Sequence, residues 1–304
     1  MGKRAFIFPG QGSQYVGMAK DIFENSAEAK EMIKIAEEAA EVSLSQIMFN
    51  GPEDSLKQTD ITQPAIFLHS VILSSLIRTI EPEMVAGHSL GEYSALVAAG
   101  SIQFYDAVKL VRLRGKAMLQ AGIDKPGTMA AVIGLNPDAV DNICKEVSAK
   151  GIVQCANFNS PGQIVISGSI EGVRAAIDLA KQKGAKLVKE LVVSGAFHSP
   201  LMESAKEALK AKLDYTTFYD AKIPVYANVI AKPVRAKESI KKLLYEQLSN
   251  PVRWEETIIN MINDGADQFY EIGPGKVLQG LVKRINPDVL VFGIDKYSDV
   301  ERYL

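Results

Sequence analysis

This chain of 304 residues has few cysteines and histidines and no excess of positive charge. The only two cysteines, Cys144 and Cys155, form no Cys-x-x-Cys pair and lie near no pair of histidines. The sequence therefore predicts neither a disulfide framework nor a metal site, and both cysteines are interpreted as inert, small apolar residues. The formal net charge of −2 argues against nucleic acid as a general partner, because binding to phosphates requires a basic surface.

Long apolar segments are also missing. The longest one, residues 65–77, contains one histidine and three serines and is shorter than the roughly 20 residues that span a bilayer. The apolar run that follows Lys3 and Arg4 is far too short for a signal peptide. The overall content of 47% hydrophobic and 23% charged residues is ordinary for a soluble globular protein. We therefore expect a cytoplasmic protein with no membrane partner, folded as one large domain or two.

Strand patterns and helix patterns alternate along most of the chain. Residues 5–8 and 84–86 read as short buried strands, and helical spacing of apolar residues occurs in 27–41 and from Ile61 onward. The pattern resumes late in the chain with a strand at 224–229, helices near 236–248 and 252–263, a strand at 268–272, and a closing helix and strand. This alternation predicts an α/β fold with a mostly parallel sheet covered by helices.

The segment from Gly127 to Val193 has a different pattern. Strands are predicted at 128–133, 153–158, 164–167 and 186–193, and helices at 137–150 and 170–183. The order β-α-β-β-α-β is that of a ferredoxin-like unit. We therefore expect a small ferredoxin-like subdomain at 125–193, inserted into a larger α/β catalytic subdomain made of 1–124 and 194–304. The ligand site is expected in the cleft between the two.

Ser89 occupies the centre of Gly87-His88-Ser89-Leu90-Gly91, between a predicted strand and a predicted helix. A strand that turns into a helix through Gly-x-Ser-x-Gly is a nucleophile elbow, as in the α/β-hydrolases. The glycines allow the sharp bend, and the serine Oγ is left exposed at the helix N-terminus. The motif indicates acyl chemistry, but five residues with three fixed positions also occur by chance, so the rest of the sequence must decide.

A nucleophilic serine needs a base, and the chain contains three histidines. His69 lies within an apolar helical segment and is interpreted as a packing residue. His88 stands in the elbow itself and is assigned a structural role in holding that loop. His198 lies in a turn-rich loop, where catalytic residues are concentrated, and is our candidate base. It would take the Ser89 proton during attack and return it to the leaving thiol or hydroxyl.

Eight short blocks of sequence, spread over the chain, resemble the malonyl-CoA:acyl-carrier-protein transacylase family in the order that the family has them. They are Gly10-Gln11-Gly12-Ser13-Gln14, Thr62-Gln63-Pro64-Ala65, Gly87-His88-Ser89-Leu90-Gly91-Glu92, Arg114-Gly115-x-x-Met118, Asn157-x-Asn159-Ser160-Pro161-Gly162-Gln163, Gly195-Ala196-Phe197-His198, Asn250-Pro251-Val252-x-Trp254 and Gly273-Pro274-Gly275. A set of blocks in one order is far more specific than the elbow alone.

The resemblance implies a ping-pong acyltransferase of bacterial fatty-acid synthesis. Ser89 would take malonyl from malonyl-CoA, and the phosphopantetheine thiol of acyl carrier protein would collect it. The coenzyme A thioester is then a substrate, and no cofactor is expected. In the family, the oxyanion donors match Gln11 and Leu90, and a main-chain carbonyl near Gln247 to Asn250 receives the imidazole N–H. Without the resemblance, Gln11 reads as a turn residue in a glycine-rich loop.

Arg114 is the residue expected to recognise the acyl group. A guanidinium binds a carboxylate through two parallel hydrogen bonds, and malonyl carries such a carboxylate whereas acetyl does not. An unpaired buried arginine would be costly, so acetyl should be rejected. Arg112 lies two residues away on the same helix and should face elsewhere, in a surface or structural ion pair.

Three further residues have weaker signals. In related acyltransferase domains, a phenylalanine at the position of Phe197 accompanies malonyl, and a smaller residue admits methylmalonyl; the alternative is ordinary core filling. Excluding one methyl group is worth only about 1–3 kcal/mol, so Phe197 would set a preference. Asn157 and Asn159 are expected to line the cleft, although asparagine at strand ends is also a common turn residue.

The sequence leaves alternatives open for the partner and for the activity. Carrier proteins are acidic, so Lys181, Lys183, Lys186 and Lys189 could form a docking patch, or only a solvated rim. The same elbow would serve a serine esterase or thioesterase, and the fold could also survive in a carrier-binding module without catalysis. A fatty-acid carrier and a polyketide carrier are not distinguished.

Overall fold

The computed structural model describes residues 2–304, which form ten strands and fourteen α-helices. The strands are β1 (Lys3–Phe8), β2 (Met84–Gly87), β3 (Gly127–Ile133), β4 (Val153–Ser160), β5 (Gln163–Ser169), β6 (Leu187–Leu191), β7 (Val225–Ala227), β8 (Lys232–Val234), β9 (Ala266–Ile272) and β10 (Leu290–Ile294).

The helices lie between or after these strands, singly or in runs of up to five. They are α1 (Lys20–Asn25), α2 (Ala27–Ala40), α3 (Leu44–Asn50), α4 (Glu53–Lys57), α5 (Thr59–Leu76), α6 (Gly91–Ala98), α7 (Phe104–Asp124), α8 (Pro137–Glu146), α9 (Ile170–Gln182), α10 (Glu203–Tyr215), α11 (Lys237–Gln247), α12 (Trp254–Asn263), α13 (Val277–Ile285) and α14 (Tyr297–Val300).

A six-stranded sheet carries the larger part of the fold, in the order β10-β9-β1-β2-β7-β8. All neighbours are parallel except β7 and β8, which are antiparallel. The predicted α/β fold with a mostly parallel sheet is therefore confirmed. The short edge strand β8 was not expected, because three residues that include Pro233 give no alternation to recognise.

A separate antiparallel sheet of four strands has the order β4-β5-β3-β6. The sequence of elements from β3 to β6 is the β-α-β-β-α-β that the pattern predicted. Helices α8 and α9 bury a local core against this sheet, which includes Val132, Val140, Ile166 and Val173. Cys144 and Cys155 are buried in the same core as free thiols.

The smaller sheet is joined to the rest of the fold by packing and by backbone hydrogen bonds between β4 and Val252, in the loop before α12. Val252 donates its N–H to Ala156 at 2.8 Å, and Phe158 donates its N–H to Val252 at 2.9 Å. Met129 and Val165 of the smaller sheet also belong to the main apolar core. The same two residues line a cleft together with Gly10 and Ser89, which follow the carboxyl ends of β1 and β2, where ligands of parallel sheets bind.

Helix α5 is buried along most of its length and begins at Thr59, two residues before the expected start. Pro64 is therefore its sixth residue, and its missing N–H leaves the carbonyl of Asp60 without the usual helical partner. The Arg112 guanidinium donates to that carbonyl instead and also pairs with the Asp60 carboxylate at 2.8 Å. The structural ion pair expected for Arg112 is thus present.

Several helices carried no recognisable signal in the sequence. Helices α1, α3, α4 and α14 are four to seven residues long, too few turns for a helical period to stand out. Helix α10 has six charged residues among its thirteen and only three buried apolar residues. Within residues 2–304, no helix is long and apolar enough to cross a membrane.

Candidate active site

Ser89 lies on the sharp turn that leads from β2 into α6, with a φ of 51°. The flanking glycines are required because the backbones approach too closely for a side chain. A Cβ on Gly87 would lie 1.9 Å from the carbonyl carbon of Gly91, and a Cβ on Gly91 would lie 2.1 Å from the Phe8 oxygen. The strained left-handed turn presents the serine at the N-terminus of the helix.

Asn228, which the sequence analysis missed, holds this turn. Its Oδ1 accepts the Ser89 N–H at 2.7 Å, and its Nδ2 donates to the Gly87 carbonyl at 2.7 Å. The side chain is fully buried and directly follows β7, the neighbour of β2 in the sheet. A polar residue at the carboxyl end of a parallel strand is the signal that could have found it.

His198 lies next to the serine, in the loop that follows β6. Its Nε2 is 2.8 Å from Ser89 Oγ, and its Nδ1 is 2.9 Å from the main-chain oxygen of Gln247. A carbonyl only accepts, so Nδ1 carries the proton and Nε2 is free to accept one. The backbone of Asn250 also faces this imidazole.

Burial, followed by the positive charge of Arg114, lowers the pKa of His198 to about 3. The imidazole is therefore neutral at neutral pH, which is the state that a general base needs before the reaction. The backbone hydrogen bond to Gln247 acts in the opposite direction, because it favours the protonated ring.

The loop that contains Gln11 packs directly against the elbow. A Cβ on Gly10 would lie 2.5 Å from the His88 oxygen, so a glycine is required for this approach. The Gln11 side chain donates from Nε2 to Thr59 Oγ1 at 3.2 Å. Gln11 and Leu90 line the same cleft as Ser89. Leu90 stands immediately before the first residue of α6, where backbone N–H groups have no partner within the helix.

Arg114 projects from α7 toward Ser89 Oγ and is only 1% exposed. Its Nη1 donates to Gln63 Oε1 at 2.7 Å, and its Nη2 donates to Ser89 Oγ at 3.0 Å and to Gln247 Oε1 at 2.9 Å. Its Nε has no partner within residues 2–304. Burial lowers the pKa of Arg114, but an arginine keeps its charge in proteins. A cation with a spare donor thus lies beside the nucleophile.

The remaining predicted residues line the cleft around this centre. Phe197 and the two asparagines Asn157 and Asn159 are on its wall, together with Met118, Met129, Val165, Leu191 and Val193. His88 is half-buried, lies against Trp254, and its Nε2 is 2.9 Å from Asn159 Oδ1. His69 lies elsewhere, buried in α5, with its Nε2 2.8 Å from the main-chain oxygen of Asp295.

The four lysines of the expected docking patch are exposed at the end of α9 and along β6. Lys183 pairs with Glu146 at 3.4 Å. Strand β6 is an edge strand, and its last residue, Leu191, lines the cleft. The exposed face of β6 therefore leads from these lysines to the cleft.

The chain is similar to known proteins over its whole length. A family described as acyl transferase domain matches residues 5–288. The malonyl CoA-acyl carrier protein transacylase of Bacillus subtilis (strain 168) is 46% identical over 304 residues, which cover 99% of this chain and 96% of the relative. The protein of the same description from Staphylococcus aureus (strain MW2) is 45% identical, with 99% and 98% covered.

Solved structures give the same result. The malonyl CoA-acyl carrier protein transacylase of Coxiella burnetii has a TM-score of 0.95 at 37% identity and covers 99% of this chain and 96% of its own. A malonyl-transacylase solved in complex with its type II PKS acyl-carrier protein has a TM-score of 0.95 at 40% identity, with 99% of both chains covered. The similarity includes both sheets in each case.

Proposed function

Because the chain belongs to the malonyl-CoA:acyl-carrier-protein transacylase family and is an acyltransferase, we propose that it transfers malonyl from malonyl-CoA to the phosphopantetheine thiol of acyl carrier protein. The transfer would supply fatty-acid synthesis. The observation that carries this proposal is the buried Arg114 guanidinium, whose Nη2 lies 3.0 Å from Ser89 Oγ. A cation at this distance from the nucleophile suits an acyl group that ends in a carboxylate.

In the first half-reaction, Ser89 Oγ attacks the thioester carbonyl while His198 Nε2 takes the hydroxyl proton. The carbonyl oxygen becomes an oxyanion, which the backbone N–H groups of Gln11 and Leu90 would stabilise. Collapse of the tetrahedral intermediate breaks the carbon–sulfur bond. His198 returns its proton to the departing coenzyme A sulfur, and malonyl remains on Ser89 as an ester.

In the second half-reaction, the phosphopantetheine thiol of the carrier protein attacks this ester. His198 takes the thiol proton and passes it to the departing Ser89 Oγ, which restores the enzyme. The thioester supplies both the acyl group and the thiol that leaves, and His198 carries the protons, so the proposed reaction requires no resident metal or cofactor. The main-chain carbonyls near Gln247 and Asn250 keep the imidazole in one tautomer through both steps.

Selection of the acyl group is assigned to two residues that line the pocket, Arg114 and Phe197. Arg114 would bind the distal carboxylate of malonyl, with its partnerless Nε as one available donor. Phe197 would disfavour a branched methyl group, by about 1–3 kcal/mol at most. Asn157 and Asn159 would contact the thioester arm on the side of the smaller sheet.

We further propose a division of the chain into a hydrolase-like body, 1–124 and 194–304, and a ferredoxin-like subdomain, 125–193. The strand order β4-β5-β3-β6 and the element order β-α-β-β-α-β support the second part. The lysines at the end of α9 and on β6 would receive an acidic carrier protein, and the complex of a similar transacylase with its carrier protein supports such a partner.

A transfer assay distinguishes this proposal from hydrolysis. Coenzyme A release from malonyl-CoA is followed with and without holo acyl carrier protein, for the wild type and for Ser89→Ala. We expect one burst per enzyme molecule without acceptor, and sustained turnover with malonyl on the carrier when acceptor is present. Steady release of free malonate without acceptor would identify a thioesterase, and no release at all would indicate a binding module.

A further inference from the structure

The side chain of Gln247, at the end of α11, lies between two buried charged groups. Its Oε1 accepts from Arg114 Nη2 at 2.9 Å, and its Nε2 donates to Glu92 Oε2 at 2.8 Å. The same Nε2 is 3.1 Å from the Ser89 main-chain oxygen. Gln247 is only 1% exposed, so these contacts are made away from water.

Glu92 belongs to the first turn of α6 and is a buried carboxyl group close to the nucleophile. Its Oε2 also accepts the Asn228 N–H at 3.0 Å. Burial raises the pKa of Glu92 to about 7, while the hydrogen bonds from Asn228 and Gln247 and the charge of Arg114 lower it. No step of the proposed mechanism uses this carboxyl group.

The guanidinium of Arg114 fixes the orientation of the Gln247 amide, because it can only donate hydrogen bonds. The amide oxygen must therefore face Arg114 and the amide nitrogen must face Glu92. A hydrogen-bonded chain from Glu92 through Gln247 to Arg114 results, in which the carboxyl group and the guanidinium do not touch.

This separation matters for a guanidinium that must bind an incoming carboxylate. All three groups that accept from Arg114, on Gln63, Ser89 and Gln247, are uncharged. A resident carboxylate in direct contact would form a charge-assisted pair with Arg114 and compete with the substrate for its donors. A buried cation with no anion nearby would, in contrast, be costly to desolvate. A carboxyl group on the far side of one amide, two hydrogen bonds away, avoids both difficulties.

We propose that Gln247 is a positioning residue for acyl-group selectivity, whose amide orients Arg114 and lies between Arg114 and the Glu92 carboxyl group, so that two hydrogen bonds separate them. The guanidinium then remains available to the carboxylate of the acyl group. This inference rests on the proposed function and extends it to two residues that do not touch the substrate. It also gives the Gln247 side chain a role separate from that of its main-chain carbonyl.

The double variant Glu92→Gln/Gln247→Glu tests the inference, because it exchanges the carboxyl and amide groups without altering the net charge. The carboxylate then contacts Arg114 directly. The ratio of malonyl to acetyl kcat/KM is measured for serine acylation, together with thermal unfolding. We expect the ratio to fall by about tenfold or more through loss of the malonyl rate, since bonds to charged groups have that magnitude. Acetyl has no carboxylate to bind Arg114, so its rate should fall less than the malonyl rate, and a disturbance of Ser89 or His198 that lowers both rates alike leaves the ratio unchanged.

The single variant Glu92→Gln serves as the matched control, because it keeps the amide between Arg114 and position 92. Its ratio should stay within about threefold of the wild type, and a loss as large as that of the double variant would overturn the inference. A folded double variant that retains the wild-type ratio would also overturn it. Should the double variant not fold, Gln63→Glu places a carboxylate against Arg114 from α5 instead. A fall of about tenfold in its malonyl-to-acetyl ratio would support the inference, and an unchanged ratio would overturn it.

The wild type in the same series keeps this test separate from the proposed function. A wild-type enzyme without any preference for malonyl would contradict the proposed substrate itself. A wild-type preference that survives the exchange of the two groups contradicts only the role of Gln247.

Discussion

Ser89 Oγ and His198 Nε2 lie 2.8 Å apart, and both residues have left-handed backbones, with φ values of 51° and 56°. A non-glycine residue in this region costs about 1–2 kcal/mol. Each backbone is held by a buried or half-buried amide: Asn228 Oδ1 accepts the Ser89 N–H, and Gln154 Nε2 donates to the His198 carbonyl at 2.8 Å. The candidate nucleophile and base are thus positioned at a local cost in stability.

This strain predicts an unusual order of stability at position 89. Ser89→Gly and Ser89→Ala both remove the hydroxyl and its hydrogen bonds, but only glycine adopts the positive φ without a steric penalty. We expect the glycine variant to unfold at a higher denaturant concentration, by about 1 kcal/mol in the free energy of unfolding. Chemical denaturation of the two inactive variants measures the difference. A more stable alanine variant would show that the turn is not strained.

His198 should stay neutral far below the usual pKa of a histidine. Because burial and Arg114 lower its pKa to about 3, its imidazole should carry a proton on Nδ1 alone throughout pH 5–8. With only three histidines in the chain, ring ¹⁵N NMR shifts can be assigned by comparison with His198→Gln. Titration of the His198 ring near pH 6.5 would contradict the assigned environment.

The unfolded chain, in contrast, binds this proton below pH 6.5, so His198 disfavours the folded state progressively as the pH falls toward 3.

Arg114→Ala should turn a malonyl-selective enzyme into a slow, unselective one. A charge-assisted pair is worth about 1.5–3 kcal/mol, or roughly tenfold to over a hundredfold in kcat/KM for malonyl. Acetyl transfer makes no such pair and should fall little or even rise. Arg112→Ala is the matched control on the same helix, because Arg112 pairs with Asp60 and should affect stability without affecting the ratio. Retention of the malonyl-to-acetyl ratio in Arg114→Ala would place selectivity elsewhere.

Charge reversal at Lys186 and Lys189 should weaken binding of the carrier protein. The double change to glutamate should raise the KM for holo carrier protein by about three- to tenfold and leave the KM for malonyl-CoA almost unchanged. Glutamate at Lys20 and Lys34, two exposed lysines on α1 and α2, gives the same change in net charge at another surface. If both double variants raise the KM for carrier protein equally, or if the change at Lys186 and Lys189 has no effect on it, the carrier protein does not dock at these lysines.

The sequence could predict those parts of the site whose residue pattern lies within one short segment of the chain. The elbow is recognisable because its five residues are consecutive and its first glycine, Gly87, is required by the close approach of Gly91 within the motif. His198 follows from the scarcity of histidine and from the turn-rich loop around it. The element order of the smaller sheet follows from the periodicities of its own segments. Each of these depends on neighbours along the chain.

The contacts that the sequence analysis missed depend instead on the order of strands in the sheet. Asn228 reaches Ser89 across 139 residues because β7 lies beside β2, and Gln247 reaches Glu92 across 155 residues. No periodicity reveals such pairs. The family resemblance drew attention to the Gln247 carbonyl, but the role of the Gln247 side chain became visible only once Arg114 and Glu92 were placed on either side of it.

In the proposed reaction, Ser89 carries malonyl as a covalent ester. Intact-protein mass spectrometry after brief mixing with malonyl-CoA, without carrier protein, tests it most directly. The wild type should gain the mass of one malonyl group, lose it on addition of holo carrier protein, and gain little from acetyl-CoA under the same conditions. Ser89→Ala should gain nothing, because the Oγ that forms the ester is absent. A malonyl adduct of undiminished yield on Ser89→Ala would place the nucleophile elsewhere and contradict the account.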